Sequence, residues 1–429
     1  MIEILENIKS ESYNGWKVLT TKNQWLKLYI AQQFGGRLLQ LEMDGYPFFF
    51  VNPNLVGIEP DSTRLGPHGT WLNYGGEKIW PAPQGFDSPN EWPGPPDPIL
   101  DGGVYAFTTD NSEEGSFILT SPFDPYTGLQ ITREAVLSNV KSEVKIRVTF
   151  ENRGTIPQSW SVWPVCQLNA PGEITQNKYQ IVCPLNTESQ FENGYKVMHG
   201  LANNPQYQSD EFGNLVVDYQ YLVGKIGLDA NANWVAFINC ENGKAFVMRY
   251  TYLSDLIYPE NTSVHIWIQG RGMFYSRNRI IELEDDKESN PPYMEMELLS
   301  PLQEMQPGER IVFDYRMQAS TIPANGSIAS VNEFGVVSSP LKIHEHQGKI
   351  SVNGKYGVFA EGKVILKYLD GSMSDNSFTI CEWEVSPLRG LTFDLDISGI
   401  IASQSGGNRI VAEFKGENIS GVLDEVILN

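Results

Sequence analysis

The stretch from Arg64 to Gln84, RLGPHGTWLNYGGEKIWPAPQ, concentrates side chains able to move protons and hold polar ligands. His68 titrates near neutrality and suits general acid or base work. Glu77 supplies a carboxylate partner, and Arg64 and Lys78 supply donors for anions or hydroxyls. Trp71, Trp80 and Trp92, together with Tyr74, offer flat apolar faces for the CH-rich side of a sugar ring. The 32 residues from Pro67 to Pro98 hold eight of the chain's 26 prolines and three of its ten tryptophans, a density that strand and helix interiors do not tolerate. Proline also lowers the entropy cost of holding a loop in one shape. The stretch reads as a binding loop; a structural loop whose tryptophans cap a core is the simpler alternative.

A second group lies in PYMEMELLSP, residues 292–301, where Glu295 and Glu297 sit two apart in an expected strand. Period-2 geometry sends both to one face. Unpaired carboxylates are costly to bury, so that face meets either solvent, as at a plain strand edge, or a polar cleft. A cleft would raise at least one of the two pKa values and make its owner an acid or base candidate. Asp124 and Arg133 flank a turn that leads into a strand and are expected either to touch ligand or to pair with structural neighbours. His265 alternates with Ile266 and Trp267 in another strand, where a packed or paired histidine is more common than a catalytic one. His344 and His346 form an HxH with no third ligand in view, so no metal or other cofactor is expected. There is no GxSxG elbow, P-loop, GxGxxG or HExxH, which leaves serine-hydrolase, nucleotide and zinc-protease readings without support.

The elements that must position these residues are strands. Glu143 to Phe150 alternates Val144, Ile146, Val148 and Phe150 with polar neighbours, the pattern of a strand with one buried face. Similar short β-branched or aromatic runs recur near residues 25–30, 234–238, 244–252, 264–268 and 310–317. No amphipathic helix longer than three turns is expected. Many short strands separated by turn signals imply a sandwich or barrel. The small, polar stretch 320–330 marks a domain break, giving a first domain over 1–322 and a smaller one over 331–429. In the latter, alternating runs at 349–352, 363–368 and 409–414, with turns expected at Asn353-Gly354 and Asp370-Gly371, suggest an immunoglobulin-like sandwich.

The chain of 429 residues carries 31 basic and 52 acidic side chains, a formal charge of -21. That balance repels phosphate backbones and anionic lipid, so neither nucleic acid nor membrane is an expected partner. The four cysteines are widely spaced and suggest neither a zinc site nor a disulfide framework. With no apolar stretch of signal-peptide or membrane-span type, a cytoplasmic location is expected. The oligomeric state is not legible.

Several segments then resemble the galactose-mutarotase-like (aldose epimerase) superfamily, with the loop core GGEKIWPAP at 75–83 closest to a bacterial branch whose members are mostly uncharacterised. They are GGRLLQL at 35–41 followed by Asp44-Gly45 and an Asn-Pro pair, ENRG at 151–154 leading to Trp163-Pro164, and LQEMQPGER at 302–310. The resemblance covers roughly residues 10 to 320. It implies an all-β supersandwich with a sugar-accommodating cleft on one sheet, and so a galactose-mutarotase-like domain followed by the small sandwich. It further implies a late glutamate acting with a histidine on an aldose. Glu297, or its neighbour Glu295, matches the glutamate. Where the family carries its histidine, this chain has Trp163-Pro164, so His68 or His265 would have to serve. The expected function is a mutarotase- or epimerase-like enzyme on a carbohydrate, with Glu297, His68 and Glu77 as catalytic candidates. The alternatives are a non-catalytic carbohydrate-binding module, a lyase or hydrolase, and an enzyme of a non-sugar metabolite on the same scaffold.

Overall fold

A computed structural model describes residues 8–59, 71–109, 115–276, 279–370, 377–403 and 407–428. Within them the chain is almost wholly β, with one six-residue α-helix, Ser398–Ser403. No helix among the described residues is long and apolar enough to cross a membrane. The chain divides into two compact units. The first comprises Met1–Ser138, Val144–Phe237 and Val247–Met317; the second comprises Asn139–Glu143, Ile238–Phe246 and Gln318–Asn429. The second unit therefore begins a few residues before the break read from composition and also takes in two short pieces of earlier chain.

Two large antiparallel sheets dominate the first unit, one of twelve strands and one of ten. Strands of the ten-stranded sheet follow the expected alternation. Leu129–Leu137 and Glu143–Asn152 bury every second residue and pair in register, Ile146 opposite Ala135 and Phe150 opposite Ile131. The central strands of the twelve-stranded sheet are different: Glu77–Ala82 and Tyr293–Leu298 are buried at every position, because one face packs on the core and the other lies under loops and a cleft. Their order across the sheet is Glu77–Ala82, Gln158–Asn169, Tyr293–Leu298, Val264–Ile268, Gly224–Leu228 and Lys196–Gly200. Neighbours in that row come from distant parts of the chain.

The entry to the Glu77–Ala82 strand depends on glycine. Gly75 and Gly76 have φ of +93° and +72°, and a Cβ on Gly75 would lie 2.0 Å from the Phe50 carbonyl oxygen. Only glycine accepts both the left-handed backbone and the close approach. Beyond the strand, Gln84 pairs with Trp92 as an isolated bridge, so the proline-rich segment folds back on itself.

The second unit holds two four-stranded sheets. Their inner faces share one apolar core that includes Val352, Tyr356 and Phe393 from one sheet and Leu366, Ile410 and Phe414 from the other. It is a β-sandwich without a disulfide, and all four cysteines are free thiols. The turn expected at Asn353-Gly354 is absent: the strand Lys349–Val358 runs straight through it. The hairpin instead turns at Gln347 and Gly348, with φ of +52° and +74°. Gly354 serves packing, since a Cβ there would lie 2.6 Å from the Tyr356 hydroxyl. The other expected turn, Asp370-Gly371, falls partly outside the described residues.

Candidate active site

Directly opposed residues of an antiparallel sheet share a face, and the register of the twelve-stranded sheet lays out the site. One row runs Gln167, Glu295, Trp267, Lys225, His199; the next runs Lys78, Val165, Glu297, His265, Gly227. Gly227 opposes His265, and a Cβ there would come within 3.2 Å of its ring. Above this floor lies a cleft of about 590 Å³, lined by Glu295, Glu297, Lys225, His199, Trp163 and Trp267 among others. A smaller hollow of about 90 Å³ shares Trp163, His199 and Lys225 and reaches His265 and Glu260.

Glu297 is the best-connected group of the floor. Its Oε2 accepts from Trp163 Nε1 at 2.8 Å and from Lys225 Nζ at 2.9 Å. The carboxylate is 1% exposed, and its Oε1 has no hydrogen-bond partner. Burial opposes ionisation, but Lys225 and His265 outweigh it and hold the carboxyl down at about 2. His265 Nδ1 stands 3.4 Å from Oε2 without an aligned hydrogen bond, and its Nε2 lies 2.6 Å from the Thr262 hydroxyl. Burial, aided by Lys225, pushes the imidazole of His265 below its ordinary value. It is therefore neutral at pH 7, and the ionised state of Glu297 then rests on Lys225 and the indole N–H.

Glu295 has its own lysine. Gln167 Nε2 donates to Glu295 Oε1 at 2.6 Å, and Lys78 Nζ stands 3.7 Å from the same oxygen. Lys78 is 1% exposed and its ammonium nitrogen has no hydrogen-bond partner; it sits 4.6 Å above the Trp80 ring, a cation–π contact. Burial pushes Lys78 down to about 8, against the pull of Glu295, and pushes Glu295 up, against the pull of Lys78. Burial therefore drives both members of this pair towards their neutral forms.

The tryptophans are built in from behind. Asp101 accepts from Trp71 Nε1 at 2.8 Å and from Trp80 Nε1 at 3.0 Å while pairing with Arg37 at 2.6 Å. Trp71, Trp80 and Trp163 all line the cleft, and Trp80 packs edge-on to Trp163. Further along, Phe50 stacks on Tyr293 at 4.7 Å. Trp267 is fixed by Nε1 donating to Gln269 at 3.0 Å. A separate hairpin, Gly272–Ser276 with Arg279–Leu283, contributes Phe274, Arg279 and Ile281 to the lining.

Of the residues singled out in the sequence, the fold brings Glu297, Glu295, Trp71 and Trp80 to the cleft, with Lys78 directly beside Glu295 and His265 beside Glu297. Five lie elsewhere. Glu77 leaves its strand on the opposite face from Lys78. It is fully buried between the sheets, ion-paired with Arg133 and accepting from the Tyr315 hydroxyl at 2.5 Å. Neither Glu77 nor Arg133 can meet a ligand in the cleft. Asp124 caps its own turn through Thr127, whose hydroxyl donates to it at 2.6 Å. Tyr74 stacks on Phe34 in the core near the chain start. Trp92, 1% exposed, donates to Asp97 at 2.7 Å under the proline-rich segment. Arg64 and His68 fall outside the described residues.

Lys225, His199, Gln167 and Trp163 are site residues that sequence reasoning did not select. Lys225 left one usable signal, a lone lysine in the run Gly224-Lys225-Ile226-Gly227-Leu228, whose every position is buried. Trp163 was noticed only as the replacement of a histidine; the fold shows its indole donating to the late glutamate.

The model of a domain of unknown function, DUF4380, matches residues 17–317. The chain belongs to this family. DUF4380 thus spans the whole strand row that carries the cleft. No curated protein matches the chain. Many solved structures do, and galactose-mutarotase-like proteins are prominent among them. One such protein from Lactobacillus casei ATCC 334 is 12% identical, covering 70% of this chain and 99% of its own, at a TM-score of 0.44. A putative mutarotase from Salmonella typhimurium is 10% identical, covering 75% and 96%, at 0.46. A TPR-domain containing protein from Parabacteroides distasonis ATCC 8503 is 14% identical over 71% of this chain, at 0.47; the chain spans about half, 47%, of that protein's length. These likenesses are ones of fold.

Proposed function

We propose that this DUF4380 protein is a carbohydrate-active enzyme of mutarotase or epimerase type, with Glu297 as the base at the anomeric carbon. The observation that carries this reading is the free Oε1 of an ionised, buried Glu297 on the floor of a cleft walled by Trp71, Trp80, Trp163 and Trp267. An unsatisfied buried acceptor calls for a donor, and a sugar hydroxyl supplies one. In ring opening the anomeric hydroxyl loses a proton while the ring oxygen gains one. Both oxygens sit on one carbon, so base and acid must be close neighbours. Lys225, 2.9 Å from Oε2 and lining the same cleft, is placed to be the acid. Aromatic faces fit the CH-rich side of the ring, and the polar floor fits its hydroxyls.

The test is exchange between α and β anomers, followed by NMR over a panel of aldoses. Acceleration that Glu297→Gln abolishes while calorimetric affinity stays within a few-fold supports the reading; no acceleration with any aldose sinks it. A second reading is a sugar-binding protein without turnover. It is favoured by the carboxyl's hold at about 2, which makes Glu297 a weak base. That reading predicts binding with no exchange.

A further inference from the structure

The floor of the cleft carries two carboxyl groups, and mutarotation uses only one. Glu295 and Glu297 alternate on one face of the Tyr293–Leu298 strand, and both line the cleft. At about 3.4 Å of rise per residue their Cα atoms stand roughly 7 Å apart along the strand, and side chains of equal length on one face keep the carboxyls on that scale. Glycosidases that act by direct water displacement place their acid and base about 6.5–9.5 Å apart, leaving room for the water. Each carboxyl also has its own surroundings: Glu297 is held by Lys225 and Trp163, whereas Glu295 lies by Gln167 and the buried, unpartnered nitrogen of Lys78. Two carboxyls whose environments push them in opposite directions divide naturally into an acid and a base. Space is available as well. A pyranose ring occupies on the order of 200 Å³ at protein packing density, so a cleft of about 590 Å³ admits more than one ring. Trp163 lies at the Glu297 end and Trp267, with Tyr293, at the Glu295 end.

We infer that the cleft also hydrolyses glycosidic bonds of short oligosaccharides, Glu295 protonating the departing oxygen while Glu297 takes a proton from the attacking water. The inference rests on the proposed role of Glu297 as base at an anomeric carbon. Water forms the new C–O bond on the face opposite the leaving group, and the old C–O bond breaks with its electron pair on the departing oxygen. The proton of Glu295 goes to that oxygen, and Glu297 holds the proton from water until solvent returns one to Glu295. The products are an alcohol and a sugar of inverted anomeric configuration. The reaction consumes one water and needs no other reactant. Burial raises the Glu295 pKa, the direction the acid step requires, and Lys78 acts as a positioning residue beside it.

The intact protein is incubated with maltose, cellobiose, lactose and xylobiose and with the matching 2,4-dinitrophenyl glycosides. The wild type is expected to cleave at least one disaccharide. Glu295→Gln should lose about a hundredfold or more on that disaccharide, while keeping cleavage of the dinitrophenyl glycoside, whose leaving group needs no proton. Retained cleavage of the dinitrophenyl glycoside also shows that the variant folds. Glu297→Gln should lose both activities. Added methanol should give no methyl glycoside, because no glycosyl-enzyme exists to be intercepted. Anomer exchange without cleavage of any of these glycosides overturns the inference and leaves the mutarotase reading standing. Equal loss of both leaving-group classes in Glu295→Gln, or a methyl glycoside product, also overturns it.

Discussion

Glu77 and Lys78 leave the same strand in opposite directions, and their surroundings separate the two faces of the large sheet. Inward, Glu77 meets Arg133 and Tyr315 across the core and is 0% exposed. Outward, Glu295 and Glu297 line a cleft with Lys78 beside Glu295, and Lys78 Nζ and Glu297 Oε1 find no hydrogen-bond partner. A buried ion pair enclosed on all sides is an architectural device; breaking it leaves an uncompensated charge. Buried polar atoms with capacity to spare beside open volume are a device for a ligand. The same residue types, one position apart, therefore separate stability from chemistry.

The sharpest way to break this comparison is to neutralise one glutamate on each face. Glu297→Gln keeps the shape of the floor and removes the base, so anomer exchange should fall by about 10² to 10⁴ with sugar affinity little changed. Exchange measured by NMR alongside calorimetry checks both halves. Glu77→Gln should do the converse. It strands the Arg133 charge between the sheets, a cost of about 3–5 kcal/mol, so thermal unfolding should move to lower temperature while exchange per folded molecule is retained. If Glu77→Gln lost activity without losing stability, the division between faces would collapse.

Lys225→Met sharpens the comparison within the cleft. Without the ammonium, exchange should fall by roughly a hundredfold, the scale of one acid–base participant. The pH profile should move as well. Glu297 acts as a base only when ionised, and in the wild type Lys225 helps keep it so down to about pH 2. In the variant burial is less opposed, the carboxyl rises, and residual activity should increase with pH across the range where the wild type has already levelled off. Stability follows the same sign. A carboxyl held below its ordinary value contributes stability that is full above pH 4.5 and is lost as pH falls towards 2. The stability gap between wild type and Glu297→Gln should therefore close over that interval in acid unfolding experiments.

What the sequence revealed of this arrangement follows its physics. Glu295 and Glu297 were legible because alternation in a strand is a local property, and the strands themselves were legible for the same reason. Glu77 was misplaced because every position of its strand is buried: with loops and a cleft above and core below, neither face reads as wet, and composition cannot tell which neighbour points where. Lys225 and His199 were missed because their strands join the row through the order of the sheet, not through proximity in sequence. Trp92 was taken for a ligand platform because the proline-rich segment looks like one long loop. Its fold back through the Gln84–Trp92 bridge turns that ring inward.

The smallest expected effect tests the wall, not the floor. Trp267 lines the cleft opposite Glu295, with its indole N–H given to Gln269 and its ring edge-on to Phe274 at 5.3 Å. Truncating it to alanine removes a platform without touching either carboxylate. Aromatic contacts of this kind are worth about 0.5–1.5 kcal/mol beyond the area they cover, so Trp267→Ala should weaken sugar binding by roughly tenfold while leaving the maximal exchange rate nearly unchanged. The split matters more than the size. A residue of the wall changes how much ligand is held, whereas a residue of the floor changes what happens to it. A Trp267→Ala protein with normal affinity and a reduced rate would place this indole among the reacting groups and redraw the line between wall and floor.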